Sequence, residues 1–173
     1  MPANHPYSRI WFSIRDPNTI KLGTTHFGDA AFSPTSANCT VWWLGHKEDP
    51  RDGDGGWTNT CSETDPVLQG RWTFQVLRNA TGGGSAIGDF RLRVRLEEAV
   101  VLETGGVANA AFEGEAAFKV GVRGEENPEA NMGGSCGGSG VCNWGLRQEY
   151  APVVVQQRLV GLECVAGTCE EEE

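Results

Sequence analysis

The sequence predicts an all-β fold, an antiparallel β-barrel or β-sandwich stabilised by disulfides. Three observations point there. Apolar residues recur at every second position in several stretches, no stretch sustains a helical period, and the 173 residues include six cysteines. That length suits a single domain burying one substantial core.

In residues 9–15, Ile10, Phe12 and Ile14 share one face, and Asp16-Pro17-Asn18 supplies a turn. Residues 37–44 form a weaker candidate. Residues 71–77 alternate again, with Trp72, Phe74 and Val76 inward and Arg71, Thr73 and Gln75 outward. The strictest pattern is residues 90–96, apolar on one side and Arg91, Arg93 and Arg95 on the other; such a strand has one face in a core and one in water. Residues 97–103 are expected to add a turn. Further strands are expected at 112–122 and 150–159, the latter an edge or entry strand because Pro152 cannot donate to a ladder. The Gly- and Asp-rich stretches 45–56 and 124–140 read as surface loops. The organisation expected is a flexible segment 1–8, a domain 9–162 and a disulfide-containing acidic tail 163–173.

Composition narrows the function. The net charge of −9 argues against a nucleic-acid partner, which would need a basic surface. Part of that charge is the run Glu170 to Glu173, expected to be disordered. No apolar run approaches the length that spans a bilayer. Cysteines 39, 61, 136, 142, 164 and 169 suit a disulfide framework made in an oxidising compartment, hence a secreted, extracellular protein. The chain begins Met-Pro-Ala-Asn-His, so secretion implies a leader already removed. A zinc site is the rival use of the cysteines, but CxxC pairs are lacking and His5, His26 and His46 lie far from them in sequence; no metal and no cofactor are expected. Two sequons, Asn38-Cys39-Thr40 and Asn79-Ala80-Thr81, agree with a secretory route. Asn79, just before Gly82-Gly83-Gly84, reads as the better acceptor, whereas Asn38 adjoins a cysteine expected to be bridged and so sterically hindered.

No catalytic residues are expected. Glu97, Glu98, Glu113, Glu115, Glu125 and Glu126 could supply a carboxylate pair, but in an acidic chain most such groups are surface charges. His26 and His46 are the available bases, and no Gly-x-Ser-x-Gly elbow accompanies them. The run from Thr81 to Ser85 lacks the Lys-Ser/Thr of a phosphate loop. Among the six tryptophans, Trp43 and Trp72 fall on core faces, Trp11 and Trp42 on the opposite face, and Trp57 and Trp144 near cysteines. Outward aromatics can stack on sugars or anchor a protein partner, although both faces could also be covered. The arginine row is expected to be a solvated face partly paired with carboxylates across strands. The candidate binding residues are therefore Trp42, His46 and Trp57, at the edge of the loop to Asp54, with Arg91, Arg93 and Arg95.

The order of these features resembles a known family. A first strand leads to Cys39-Thr40-Val41-Trp42-Trp43; a polar loop ends at Trp57-Thr58-Asn59-Thr60-Cys61; an aromatic strand follows, then the tight pair Cys136-Gly-Gly-Ser-Gly-Val-Cys142 and a final strand. Over roughly residues 9–160 this looks like the family of the major Alternaria allergen, small secreted fungal proteins that include elicitors of plant defence. The resemblance implies a β-barrel or sandwich with bridges 39–61 and 136–142, leaving Cys164 and Cys169 to each other by default. It also implies action without catalysis on a host extracellular protein or cell-wall component. The family's intersubunit cysteine has no counterpart, since no cysteine precedes Cys39, so a covalent dimer is not expected.

Overall fold

The computed structural model describes residues 7–25, 28–45, 47–52, 57, 59–63, 70–79, 84–101, 106–138 and 140–167. His5, His26, His46, Cys169 and the acidic run Glu170 to Glu173 lie outside them, as do Asp54, Gly82 and Gly83. The fold is antiparallel β, and two short 3-10 turns are the only helical elements among the described residues.

β1 (Tyr7–Asp16) pairs along its full length with β4 (Thr35–Leu44), after a hairpin of β2 (Ile20–Thr25) and β3 (Gly28–Phe32). The edge of β4 takes the short β6 (Ser62–Glu63), giving the order β1-β4-β6. A second sheet runs β12-β9-β8-β7-β5, built from β5 (Asn59–Thr60), β7 (Arg71–Leu77), β8 (Asp89–Val101), β9 (Val107–Lys119) and β12 (Arg158–Ala166). β7 begins and ends where the alternation predicts. The inward residues of both sheets form one core: Ile10, Cys39 and Trp43 from the first meet Trp72, Phe74, Val76, Leu92, Val94 and Leu96 from the second. Phe12 meets Phe74 edge to face across the layers, ring centroids 5.1 Å apart.

The sheets are joined along one side. Residues 59 and 60 pair with β7, and residues 62 and 63 pair with β4, so a five-residue stretch passes from one sheet to the other. Between them the amide of Cys61 donates to the carbonyl of Trp72 (3.0 Å), and its sulfur bridges to Cys39. The second bridge, Cys136–Cys142, closes a hairpin of β10 (Met132–Cys136) and β11 (Cys142–Leu146). Both pairs are those the resemblance implied. Cys164 is disulfide-bonded too, and no described cysteine is free.

Several expectations need correction. Residues 97–101 continue β8 rather than forming a turn, because β9 begins at Val107 and offers partners as far as Val101. The weakly patterned, alanine-rich start of β9 gave no alternation to read. The final strand is Arg158–Ala166, not 150–159; the preceding segment, with a cis Ala151–Pro152 peptide, lies outside any ladder. Residues 163–166 therefore belong to the sheet rather than to a tail. Part of the expected loop 124–140 is strand β10. It depends on Gly134, whose φ of 155° favours glycine and where a Cβ would collide with the carbonyl of Asn143.

Candidate functional site

Each sheet has an outer face, and the two differ in kind. On the first, the strand period turns Tyr7, Arg9, Trp11 and Ser13 of β1 outward beside Leu44, Trp42, Thr40 and Asn38 of β4. Tyr7, Trp11 and Trp42 are 59%, 64% and 58% exposed. Arg9 lies opposite Trp42 with its guanidinium 5.1 Å from the ring centroid, an attraction to the electron-rich face of the indole. Trp11 lies opposite Thr40, one step along the ladder, so the two indoles are diagonal neighbours. Beyond Trp11 the Ser13 hydroxyl donates to the Asn38 side-chain oxygen (2.8 Å).

The outer face of the second sheet is filled by its own charges. Arg93 pairs with Glu113 (2.5 Å) and Glu115 (3.5 Å), Arg91 with Glu115 (3.3 Å), and Arg95 with Glu97 (2.9 Å) and Glu113 (3.3 Å). Glu113 is buried. The Trp57 ring lies under Arg93 and Arg95, 5.3 and 5.6 Å from their guanidinium carbons. An open groove of about 510 Å³ runs between this network and the chain at Gln156–Arg158. That chain can approach because position 114 is glycine; a Cβ there would stand 2.5 Å from Val155.

The arginine row is thus paired with carboxylates across strands as expected, but it is partly buried rather than solvated. Thr73 and Gln75 point to this face as expected, yet they are buried, with the 3-10 turn Pro50–Asp52 packed against β7. Trp42 and Trp57 belong to outer faces of different sheets, so the single patch expected from them does not exist; His46 lies outside the described residues. The connection between them is braced by Asp49, which accepts from Arg51 (2.7 Å) and Arg78 (3.0 Å). The Arg51 hydrogen bond, helped by the nearby Arg78 charge, holds the Asp49 carboxyl down at about 2. Arg51 also donates to the backbone carbonyls of Asp89 (2.8 Å) and Gly84 (3.2 Å).

Three of the carboxylates share one face and the fourth does not. Glu97, Glu113 and Glu115 are held by arginines on the outer face, while Glu98 turns into the core side with a partnerless Oε2. Burial pushes the Glu98 carboxyl up to about 7, a rise that the nearby Asp16 reinforces and a hydrogen bond from the Ser33 backbone opposes. No group of three or more His, Cys, Asp or Glu placed to hold a metal occurs among the described residues.

Sequence reasoning passed over Tyr7 and Arg9, although the parity that placed Trp11 outward places them beside it. It also misread Asn79, which is buried and donates through Nδ2 to Asp89 and to the Phe118 carbonyl (3.5 Å). Asn38 is exposed.

No protein-family model matches the chain, no curated protein matches it, and no solved structure matches it. The likeness to the Alternaria allergen family therefore rests on the placement of cysteines and strands.

Proposed function

We propose that this is a secreted, noncatalytic, elicitor-like fungal protein that acts by binding a host extracellular component through the outer face of β1 and β4. The observation that carries the binding reading is the exposure of Tyr7, Trp11 and Trp42 together on one sheet face, with Arg9 stacked at its centre. Large apolar groups grouped on a surface mark contact sites, and rigid aromatics lose little entropy on binding. The noncatalytic reading is supported by the commitment of Glu97, Glu113 and Glu115 to arginines. The bridges 39–61 and 136–142 support secretion. The segment shared by the two sheets supports the barrel half of the fold expectation, as a β-barrel left open on the side away from residues 59–63.

The test is infiltration of plant leaves with the wild type, a Tyr7→Ala/Trp42→Ala variant, and single Glu98→Gln and Glu115→Gln variants, each verified as folded by circular dichroism. The aromatic variant should lose the defence response and both carboxylate variants should retain it. An aromatic variant as active as the wild type would refute the face; a folded carboxylate variant without activity would favour a hydrolase.

One observation favours a second reading. Trp11 and Trp42 are diagonal neighbours flanked by the hydrogen-bonding Arg9, Ser13 and Asn38, which would suit a carbohydrate-binding module. Retention on insoluble chitin, cellulose or xylan, lost in the same aromatic variant, would select that reading.

A further inference from the structure

The two sequons of this chain are not equivalent, and their geometry reverses the order the sequence suggests. A glycan joins asparagine through Nδ2, so in the folded product an asparagine that carries one must have that nitrogen free and facing solvent. Asn79 is 5% exposed, and its Nδ2 is spent on the buried Asp89 carboxylate and the Phe118 carbonyl. A sugar there would break both bonds and strand Asp89 without its donor. Asn38 is exposed in β4, and its hydrogen bond with Ser13 uses the side-chain oxygen, not the nitrogen. Thr40, the sequon hydroxyl, is exposed on the same face two residues on. Cys39 between them is fully buried with its bridge to Cys61, so the disulfide points away from Asn38 and does not crowd it.

Asn38 lies opposite Ser13, which makes Trp11 its diagonal neighbour, within reach of a large side chain. Trp11 is 64% exposed, so its indole offers a flat apolar surface beside Asn38.

We propose that Asn38, not Asn79, is the N-glycosylation site of this protein, and that the innermost sugar packs on Trp11. The inference rests on the secretory reading above. The modification uses a lipid-diphosphate-linked oligosaccharide as donor: a bond forms between Nδ2 and the anomeric carbon, the bond from that carbon to the diphosphate oxygen breaks, the amide loses one proton, and the lipid diphosphate leaves. The glycan then covers the Trp11 end of the aromatic face and leaves Tyr7 and Trp42 to the partner.

The experiment fuses a cleavable leader to the full chain, passes it through a eukaryotic secretory system, and reads occupancy by enzymatic deglycosylation in heavy-oxygen water with peptide mass spectrometry. The folded product should carry the label at Asn38 and none at Asn79, and Thr40→Ala should abolish it. Label at Asn79 in the folded product, or none at Asn38, overturns the assignment. For the packing, the glycan should raise the unfolding midpoint by about 2–4 °C relative to Asn38→Gln, the shift that a modest contact gives in a domain of this size. That rise should vanish in a Trp11→Ala background; an equal rise there overturns the role of Trp11. Native protein without a glycan, alongside a leader-fused chain that bears one at Asn38, would refute the secretory reading while upholding the site.

Discussion

Replacing Glu98 with glutamine should make the protein more stable at pH 8. Glu98 is 6% exposed, its Oε2 has no hydrogen-bond partner, and the buried Asp16 carboxylate is near. Its carboxyl titrates at about 7 in the fold against 4.5 when unperturbed. Between those values the native state holds a proton that the unfolded state has released, so stability falls as pH rises through the window and is fully reduced above it. The span corresponds to about 3 kcal/mol at most. Glutamine keeps the shape and removes the ionisation. Urea unfolding with disulfides intact, at pH 4.5 and pH 8, measures both ends. The wild type should lose roughly 2–3 kcal/mol between the two pH values relative to Glu98→Gln, and the variant should be the more stable protein only at pH 8. Parallel pH dependences in the two proteins would refute the reasoning, since any other titrating group is common to both.

The remaining predictions concern the brace, the core and the charged face. Asp49→Asn should lower stability by about 1 kcal/mol at pH 7, after discounting for solvent screening, because a depressed carboxyl stabilises above its unfolded value and loses that contribution as pH falls from 3.8 toward 2; chemical unfolding at pH 7 and pH 2 checks both. Phe74→Ala, at a fully buried ring, should cost roughly 3–5 kcal/mol in the same assay, and a change under 1 kcal/mol would mean that the two sheets do not pack as described. Arg93→Glu should also be costly, on the order of 3 kcal/mol, because the buried Glu113 would lose one arginine and gain a like charge; unchanged stability would show that the network carries no weight.

How much of this was legible in the sequence follows from where period two is strong. In 71–77 and 90–96 the alternation located strand and face correctly, and extending the same parity past Leu96 puts Glu98 on the core side. Its burial went unread because a glutamate at an inward position contradicts the pattern that would announce it. The limits of β8 and β9 were not legible, since alanine and asparagine at 108–111 take a ladder only because β8 offers one. The network of Arg93, Glu113 and Trp57 is a matter of register between strands distant in sequence, which no local pattern encodes. The same holds for Asn79: a sequon beside glycines reads as a loop, and only the fold brings Asp89 and Phe118 onto its amide. Tyr7 and Arg9 were readable, and only the weight given to the tryptophans hid them.

The stretch 59–63 has a consequence for how the molecule opens. Because these five residues are hydrogen-bonded to β7 at one end and to β4 at the other, neither sheet can fray on that side without disturbing the other. Amide hydrogen exchange in β4 and β7 should then proceed through one shared opening event, with matching protection, while the β10–β11 hairpin exchanges on its own schedule. Reductants should follow the same divide. Cys136 is exposed, so the hairpin bridge is open to attack in the native state, whereas Cys39 is fully buried and Cys61 partly buried, so the 39–61 bridge should be reduced more slowly.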